Sequence, residues 1–220
     1  MLRVLVSASP EICEAFTRIL SLSKQEETEF AVIFKRENWI FVFLHVPLSS
    51  HVVESIASTF FPDRLYFPFF GYSIDMMHEI GDVVVPNVFL SYEKSLDKTE
   101  ITKENRDTLI NNPRFLEAFV EQKDYYVEDF GLSVGGIIIE NVPVDPSSDL
   151  MGKMMLAYEW DIYTPESTTA ALDAVIENQV PSIILAGIIK GKLHPKRIDR
   201  NMDEFIARNI MTTIALLEEE

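Results

Sequence analysis

The spacing of apolar residues changes repeatedly along the chain, and each change marks an element. Residues 2–6 form a short apolar run that predicts a strand. Ser9-Pro10-Glu11 behind it opens a helix to about residue 22. A serine N-cap, a proline whose missing N–H costs nothing at the first position and a carboxylate facing the helix dipole all suit a start. Residues 30–34 and 39–46, on either side of the turn-like Lys35-Arg36-Glu37-Asn38, predict a hairpin. A helix over 50–60 stops before Pro62, and 65–70 is a third apolar strand leading to Gly71. Residues 75–82 read as a loop entering a strand at 83–86, which 87–92 extends. Between Glu93 and Glu128 the chain turns polar, with a helix expected at 114–122. Two further strands, 125–130 and 132–144, precede a loop at 143–148 and a short helix at 149–157. The last helix, 199–217, shows an apolar stripe at Met202, Phe205, Ile206, Ile210 and Ile214 and ends in a solvated run from Glu218 to Glu220.

The stretch from Ala157 to Lys192 organises the rest. Thr164 suits an N-cap, Pro165 the first helical position and Glu166 the positive end of the dipole, with the helix running to about Asn178. Residues 182–189 then form a continuous apolar run of strand length, which suits a strand buried on both faces and ending at Lys190-Gly191. In open α/β sheets the carboxyl edge of the strands is where ligands sit. One carboxylate at a helix start and one lysine at a strand end are therefore expected at the same crevice. The alternation of strands and helices predicts a single α/β domain over residues 1–220, with a mixed, mostly parallel sheet flanked by helices.

Composition narrows the partners. Hydrophobic residues make up 47% and the 15 Phe supply apolar surface for a sizeable core, so this is not a disordered chain. A formal charge of −16, with no Lys/Arg cluster, argues against nucleic acid. No apolar run approaches the roughly 18 residues of a membrane span, and residues 2–6 read as a strand rather than a signal peptide, so no membrane partner and a cytoplasmic location are expected. The lone Cys13 excludes an intramolecular disulfide and reads as a core or helix-face residue. The histidines His45, His51, His78 and His194 show no metal spacing, and no metal or cofactor is expected. His51 and His78 are expected in loops bordering the crevice.

Three segments, in this order, resemble the nucleoside phosphorylase and nucleosidase superfamily, which cleaves the N-glycosidic bond of nucleosides with phosphate or water. Ile80-Gly-Asp-Val-Val-Val-Pro86 is similar to its Gly-Asp-Val-Val segment and follows a strand ending in glycine, Phe67-Pro-Phe-Phe-Gly71. Thr164-Pro-Glu166-Ser-Thr-Thr-Ala-Ala171 resembles its Asp-Met-Glu-(small)-Ala-Ala stretch, and residues 4–16 resemble its opening strand and phosphate-binding loop. The resemblance implies a phosphorylase/hydrolase-like α/β fold, a small nucleoside or ribosyl ligand, a homo-oligomer and a substrate site formed by Glu166, Pro165, Tyr163, Gly71 and Phe70. Glu166 would hold the ribose, since one carboxylate can accept from two vicinal hydroxyls.

Other positions depart from the pattern. The chain has no glycine before Gly71: Ser7-Ala8-Ser9-Pro10 stands in the opening loop, residues 47–51 replace the second glycine-rich element and Pro68 the first glycine of the third. A phosphate cradle of backbone N–H groups is therefore not expected, and Glu11 would repel an anion. Hydrolysis is expected over phosphorolysis, and it needs a carboxylate from the opening loop to activate water. That position falls on Glu11 or, one residue later, on Ile12. Lys190 stands where the superfamily has an aspartate that helps protonate the departing base. With a reference pKa of ~10.4 it donates at neutral pH only if its surroundings lower it. It is taken, with Glu11, as a candidate catalytic residue, and a new acid–base set of Lys190 with Glu159 or Asp161 is a further alternative. Tyr158 and Trp160 share with Tyr163 the capacity to stack on a base or sugar. The competing reading is a member that has lost catalysis and acts as a ligand sensor or assembly subunit.

Overall fold

The structure is a computed structural model that describes residues 1–74, 78–86, 88–91, 126–127, 130–135, 137–157, 162–166, 182–190 and 201–218. In chain order the strands are β1 (Arg3–Ser7), β2 (Ser23–Glu27), β3 (Ala31–Arg36), β4 (Trp39–Leu44), β5 (Arg64–Ser73), β6 (Val83–Val85), β7 (Val88–Ser91), β8 (Tyr126–Val127), β9 (Phe130–Val134), β10 (Ile137–Glu140), β11 (Ile162–Tyr163) and β12 (Ser182–Lys190). The helices are α1 (Pro10–Ile19), α2 (Ser50–Phe60), α3 (Ser148–Ala157) and α4 (Asn201–Glu218). One mixed sheet runs β2-β3-β4-β1-β5-β12-β6-β9-β8, and its centre, β4-β1-β5-β12, is parallel. A second group, β7-β10-β11, joins the sheet where β11 pairs antiparallel with the end of β5.

The centre is parallel because β5 and β12 are apolar on both faces: Leu65, Tyr66, Phe67, Phe69 and Phe70 on one, Ile183, Ile184, Leu185, Ala186 and Ile188 on the other, all buried. On β12, α4 lies close. A Cβ on Gly187 would come within 2.1 Å of Ile206 Cγ2, so only glycine admits the helix at this approach. α4 buries Ile206, Ala207, Ile210, Thr213, Ile214 and Leu217 at helical spacing, and the 3.1 Å ion pair of Arg18 with Glu204 ties it to α1.

Strand β5 changes partners along its length. β12 covers one of its edges from Leu65 to Tyr72, while β1 covers the other only from Arg64 to Tyr66, and β11 takes that second edge again at Tyr72 and Ser73. Residues 67–71 thus face a gap between β1 and β11 with no strand partner among the described residues. The Phe70 carbonyl points into that gap, and by the two-residue repeat of a strand so does the nitrogen of Pro68. A proline in a central strand is tolerated here because its missing N–H falls on the open edge.

Several expectations change. β2, Ser-Lys-Gln-Glu-Glu, is a strand that apolar patterning could not announce, since all five residues are exposed and only its ladder to β3 defines it. Residues 88–91 do not extend β6 but form β7 on β10. The expected strand over 132–144 is two, broken at Gly135 with φ of 103°. His51 lies on α2 rather than in a loop, and Glu218 is not solvated: its side chain is 10% exposed and paired with Arg3. The expected helix at 114–122 lies outside the described residues, as does that at 165–178 beyond its first two positions, where Pro165 and Glu166 form a bend.

Candidate active site

The opening loop folds around its serines. The Ser9 hydroxyl accepts the N–H of Ile12 at 3.3 Å, capping α1, and donates to Glu11 Oε2 at 3.0 Å. The Ser9 N–H in turn reaches the Ser7 hydroxyl at 3.1 Å. Glu11 is exposed, whereas Ile12 is fully buried in the core, so of the two positions only Glu11 presents a group to solvent. Of the N–H groups that would serve an anion, that of Ile12 is taken by a serine, and Glu11 adds a carboxylate in the first turn.

The second wall follows β11. Thr164 is fully buried; its N–H donates to the Ile139 carbonyl at 2.9 Å and its carbonyl accepts from Val142 at 3.1 Å. The Thr164 hydroxyl donates to the Phe70 carbonyl at 3.2 Å and accepts the Glu166 N–H at 3.2 Å, the geometry expected of an N-cap. The Asn141 N–H donates to the Glu166 carbonyl at 3.4 Å. Pro165 between them is exposed. Glu166 is mostly buried, and burial, with the charge of Glu11 added, pushes its carboxyl up to about 7. The charge of Glu11, on the first helix, is thus felt at Glu166.

The remaining candidates lie on β5, β11 and β12. Phe70 is buried, and Gly71 is a packing position: a Cβ there would touch Ala186 Cβ and Ile162 Cδ1 at 3.4 Å. Tyr163 is 3% exposed and stacks on Tyr72, with centroids 5.0 Å apart and rings 17° from parallel, and its hydroxyl donates to the Val144 carbonyl at 3.5 Å. Burial, then Tyr72 and Asp145, push its phenol up to about 12. Tyr72 is the more accessible ring of the two, and the sequence pattern, which ends this strand at residue 70, does not mark it, whereas β5 runs on to Ser73. Lys190 ends β12 opposite Tyr72, just past an irregularity between Ile188 and Lys190. Its side chain, like Tyr158, Glu159, Trp160 and Asp161, lies outside the described residues.

The Gly81-Asp82 motif acts on that irregularity. Gly81 N–H donates to the Ile188 carbonyl at 2.9 Å and Ile188 N–H to the Asp82 carbonyl at 2.8 Å, clamping β12 two residues before Lys190. The Asp82 carboxylate accepts from Gly131 and Glu79 N–H, both at 2.8 Å, and Asn209 of α4 donates to the Gly81 carbonyl at 2.8 Å. The motif is thus a structural turn, with Gly81 at φ of 99°. His51 is solvent-exposed beside Glu54, and His78 is buried in the loop after β5. Among the described residues no cluster of three or more His, Cys, Asp or Glu is placed to hold a metal, and no helix is long and apolar enough to cross a membrane.

No protein-family model matches the sequence, and no curated protein matches it. Solved structures do. A 5′-methylthioadenosine/S-adenosylhomocysteine nucleosidase of Campylobacter jejuni superposes with a TM-score of 0.64 at 17% identity, covering 99% of this chain and 97% of that one. The 5′-methylthioadenosine nucleosidase of Arabidopsis thaliana gives 0.66 at 10% identity, covering 99% and 96%. A futalosine hydrolase mutant of Helicobacter pylori gives 0.66 at 12% identity, covering 98% and 100%. At such identities the likeness is one of fold: this chain shares the α/β fold of those nucleosidases and of that hydrolase.

Proposed function

We propose that this protein binds a nucleoside or a related ribosyl compound in the gap between β1 and β11 and cleaves its N-glycosidic bond by hydrolysis. The observation that carries this reading is the Glu166 carboxyl, raised by burial and secondly by the charge of Glu11, on a backbone tied to β5 through Thr164. Glu166, deprotonated, accepts from the two vicinal hydroxyls of the sugar. Glu11 takes a proton from water, whose oxygen bonds to C1′ as the C1′–N bond breaks; the base nitrogen keeps the electron pair and acquires a proton. Lys190, at the end of β12, is the candidate donor on that side. Because the sugar becomes oxocarbenium-like, positioning and electrostatic stabilisation supply most of the rate, and two carboxylates suit a positive transition state. Phe70, Gly71 and Tyr163 support the walls, and Pro165 sets the entry to Glu166. The absence of glycine before Gly71 and the carboxylate at the start of α1 favour water over phosphate. A cytoplasmic homo-oligomer belongs to the same reading.

The solved neighbours include a Helicobacter pylori nucleosidase with ligands: one structure, of a mutant, carries 5′-methylthioadenosine in its active site and another a butyl-thio-DADMe-Immucillin-A. A second reading, a ligand sensor or assembly subunit without catalysis, draws support from Lys190 standing where the superfamily has an acid. The test is release of free base from a panel of purine and pyrimidine nucleosides and their 5′-thio derivatives, with and without phosphate, using Glu166→Ala as control. Phosphate-independent release, lost in Glu166→Ala, is the expected result. Binding without release favours the second reading.

A further inference from the structure

Thr164 does more than begin a turn. Every polar group it carries is used: N–H to Ile139, carbonyl from Val142, hydroxyl to Phe70 and from the Glu166 N–H. The Phe70 carbonyl lies on the one stretch of the β5 edge that no described strand covers, so the Thr164 hydroxyl stands in for a missing ladder bond. The same oxygen fixes the backbone of Glu166. The Glu166 main chain is thereby referenced directly to β5, the strand that forms the floor of the gap, rather than to a free loop. The residue type also fits. A β-branched side chain has a stiff χ1, so a buried threonine holds its hydroxyl in place at little further entropic cost.

We propose that Thr164 is a positioning residue that aligns Glu166 with a vicinal diol, and so makes the site select ribosyl over 2′-deoxyribosyl ligands. The inference rests on the ribosyl-binding reading above. A carboxylate that accepts from two adjacent hydroxyls must be held within about 0.5 Å of one position, and an unanchored turn cannot do this. A ligand lacking one hydroxyl makes no such demand. Loss of the anchor should therefore weaken the ribosyl ligand selectively.

The experiment compares adenosine, inosine and uridine with their 2′-deoxy counterparts by calorimetric titration on the full chain, in wild type, Thr164→Val, Thr164→Ser and Glu166→Gln. Thr164→Val keeps volume and β-branching but deletes both hydroxyl bonds; Thr164→Ser keeps both. Expected is a fall of about tenfold to a hundredfold in the ribosyl-to-deoxyribosyl affinity ratio for Thr164→Val, largely restored in Thr164→Ser. Were Thr164→Val not to fold, Thr164→Cys, a weak donor of similar size, should give an intermediate ratio. A folded Thr164→Val or Thr164→Cys with the wild-type ratio overturns the inference and leaves the functional reading intact. A wild type that binds no ribosyl ligand, or whose preference survives Glu166→Gln, overturns the reading itself and the inference with it.

Discussion

Glu11 and Glu166 sit on separate elements, yet the carboxylate of Glu11 adds to burial in holding Glu166 at about 7. Because the folded value is raised above the ordinary 4.5, the folded protein keeps a proton that the unfolded chain has released between those two pH values. Stability should accordingly fall as pH rises through that window, and Glu166→Gln should flatten the slope. Chemical denaturation of both proteins between pH 4 and 8 checks this. The same titration governs ligand binding. Affinity for a vicinal diol should improve as pH rises through about 7, and Glu11→Gln should move that midpoint downward while abolishing base release.

The glycines divide into three outcomes. Gly187→Ala drives a methyl to 2.1 Å from Ile206, a side chain packed between helix and sheet, and should cost about 3 kcal/mol or more. Gly81→Ala meets Phe205 at 2.4 Å, but that ring is 36% exposed and can swing away, leaving mainly the left-handed backbone at about 1–2 kcal/mol. Gly152, inside α3 with nothing within 4 Å, should gain about 0.5–1 kcal/mol on change to Ala. Thermal denaturation should rank the three in that order.

The end of α4 is latched beneath the sheet. Glu218 accepts from Arg3 Nε at 2.8 Å and from the Tyr66 hydroxyl at 2.5 Å, while the Arg3 guanidinium lies 5.1 Å from the Trp39 ring centroid. Burial pushes the Glu218 carboxyl up, yet the bonds from Arg3 and Tyr66 and the charges of Arg3 and Arg64 outweigh it and hold it below the ordinary value. Its contribution is present above the unfolded carboxylate range and lost as pH falls through the depressed value. Glu218→Ala should cost about 1.5–3 kcal/mol at neutral pH and progressively less in acid. Urea melts at pH 7 and pH 3 would show the difference shrinking.

Cys13 should be chemically silent. It is 7% exposed on the inner face of α1, and burial, with Glu14 added, pushes its thiol up to about 11. Labelling by a disulfide reagent at pH 8 should be slow in native protein and complete within mixing time in denaturant. Fast native labelling would mean that α1 opens locally.

Where neighbouring residues carry the information, the chain is readable. Ser9-Pro10-Glu11 announces α1, Glu37-Asn38 its hairpin, and residues 50–60 and 182–190 their helix and strand, because caps, turns and hydrophobic periods are set within a few positions. Glu11 and Glu166 could both be nominated from a dipole position and a motif. That the charge of Glu11 reaches Glu166 could not, since it depends on how the sheet brings α1 and β11 together.

What needed the third dimension is everything created by an edge or an approach. β2 exists through its ladder to β3, not through its side chains. Pro68 fits a central strand only because β1 no longer pairs with β5 after Tyr66, and the Phe70 carbonyl left over there is bonded by the hydroxyl of Thr164. Tyr72 gains its place from a ring stacked beneath it, and Gly81-Asp82 its purpose from the clamp on Ile188. A one-dimensional pattern records which side chains prefer burial. It does not record which backbone groups are left over when strands diverge, and in this protein those leftover groups shape the candidate site.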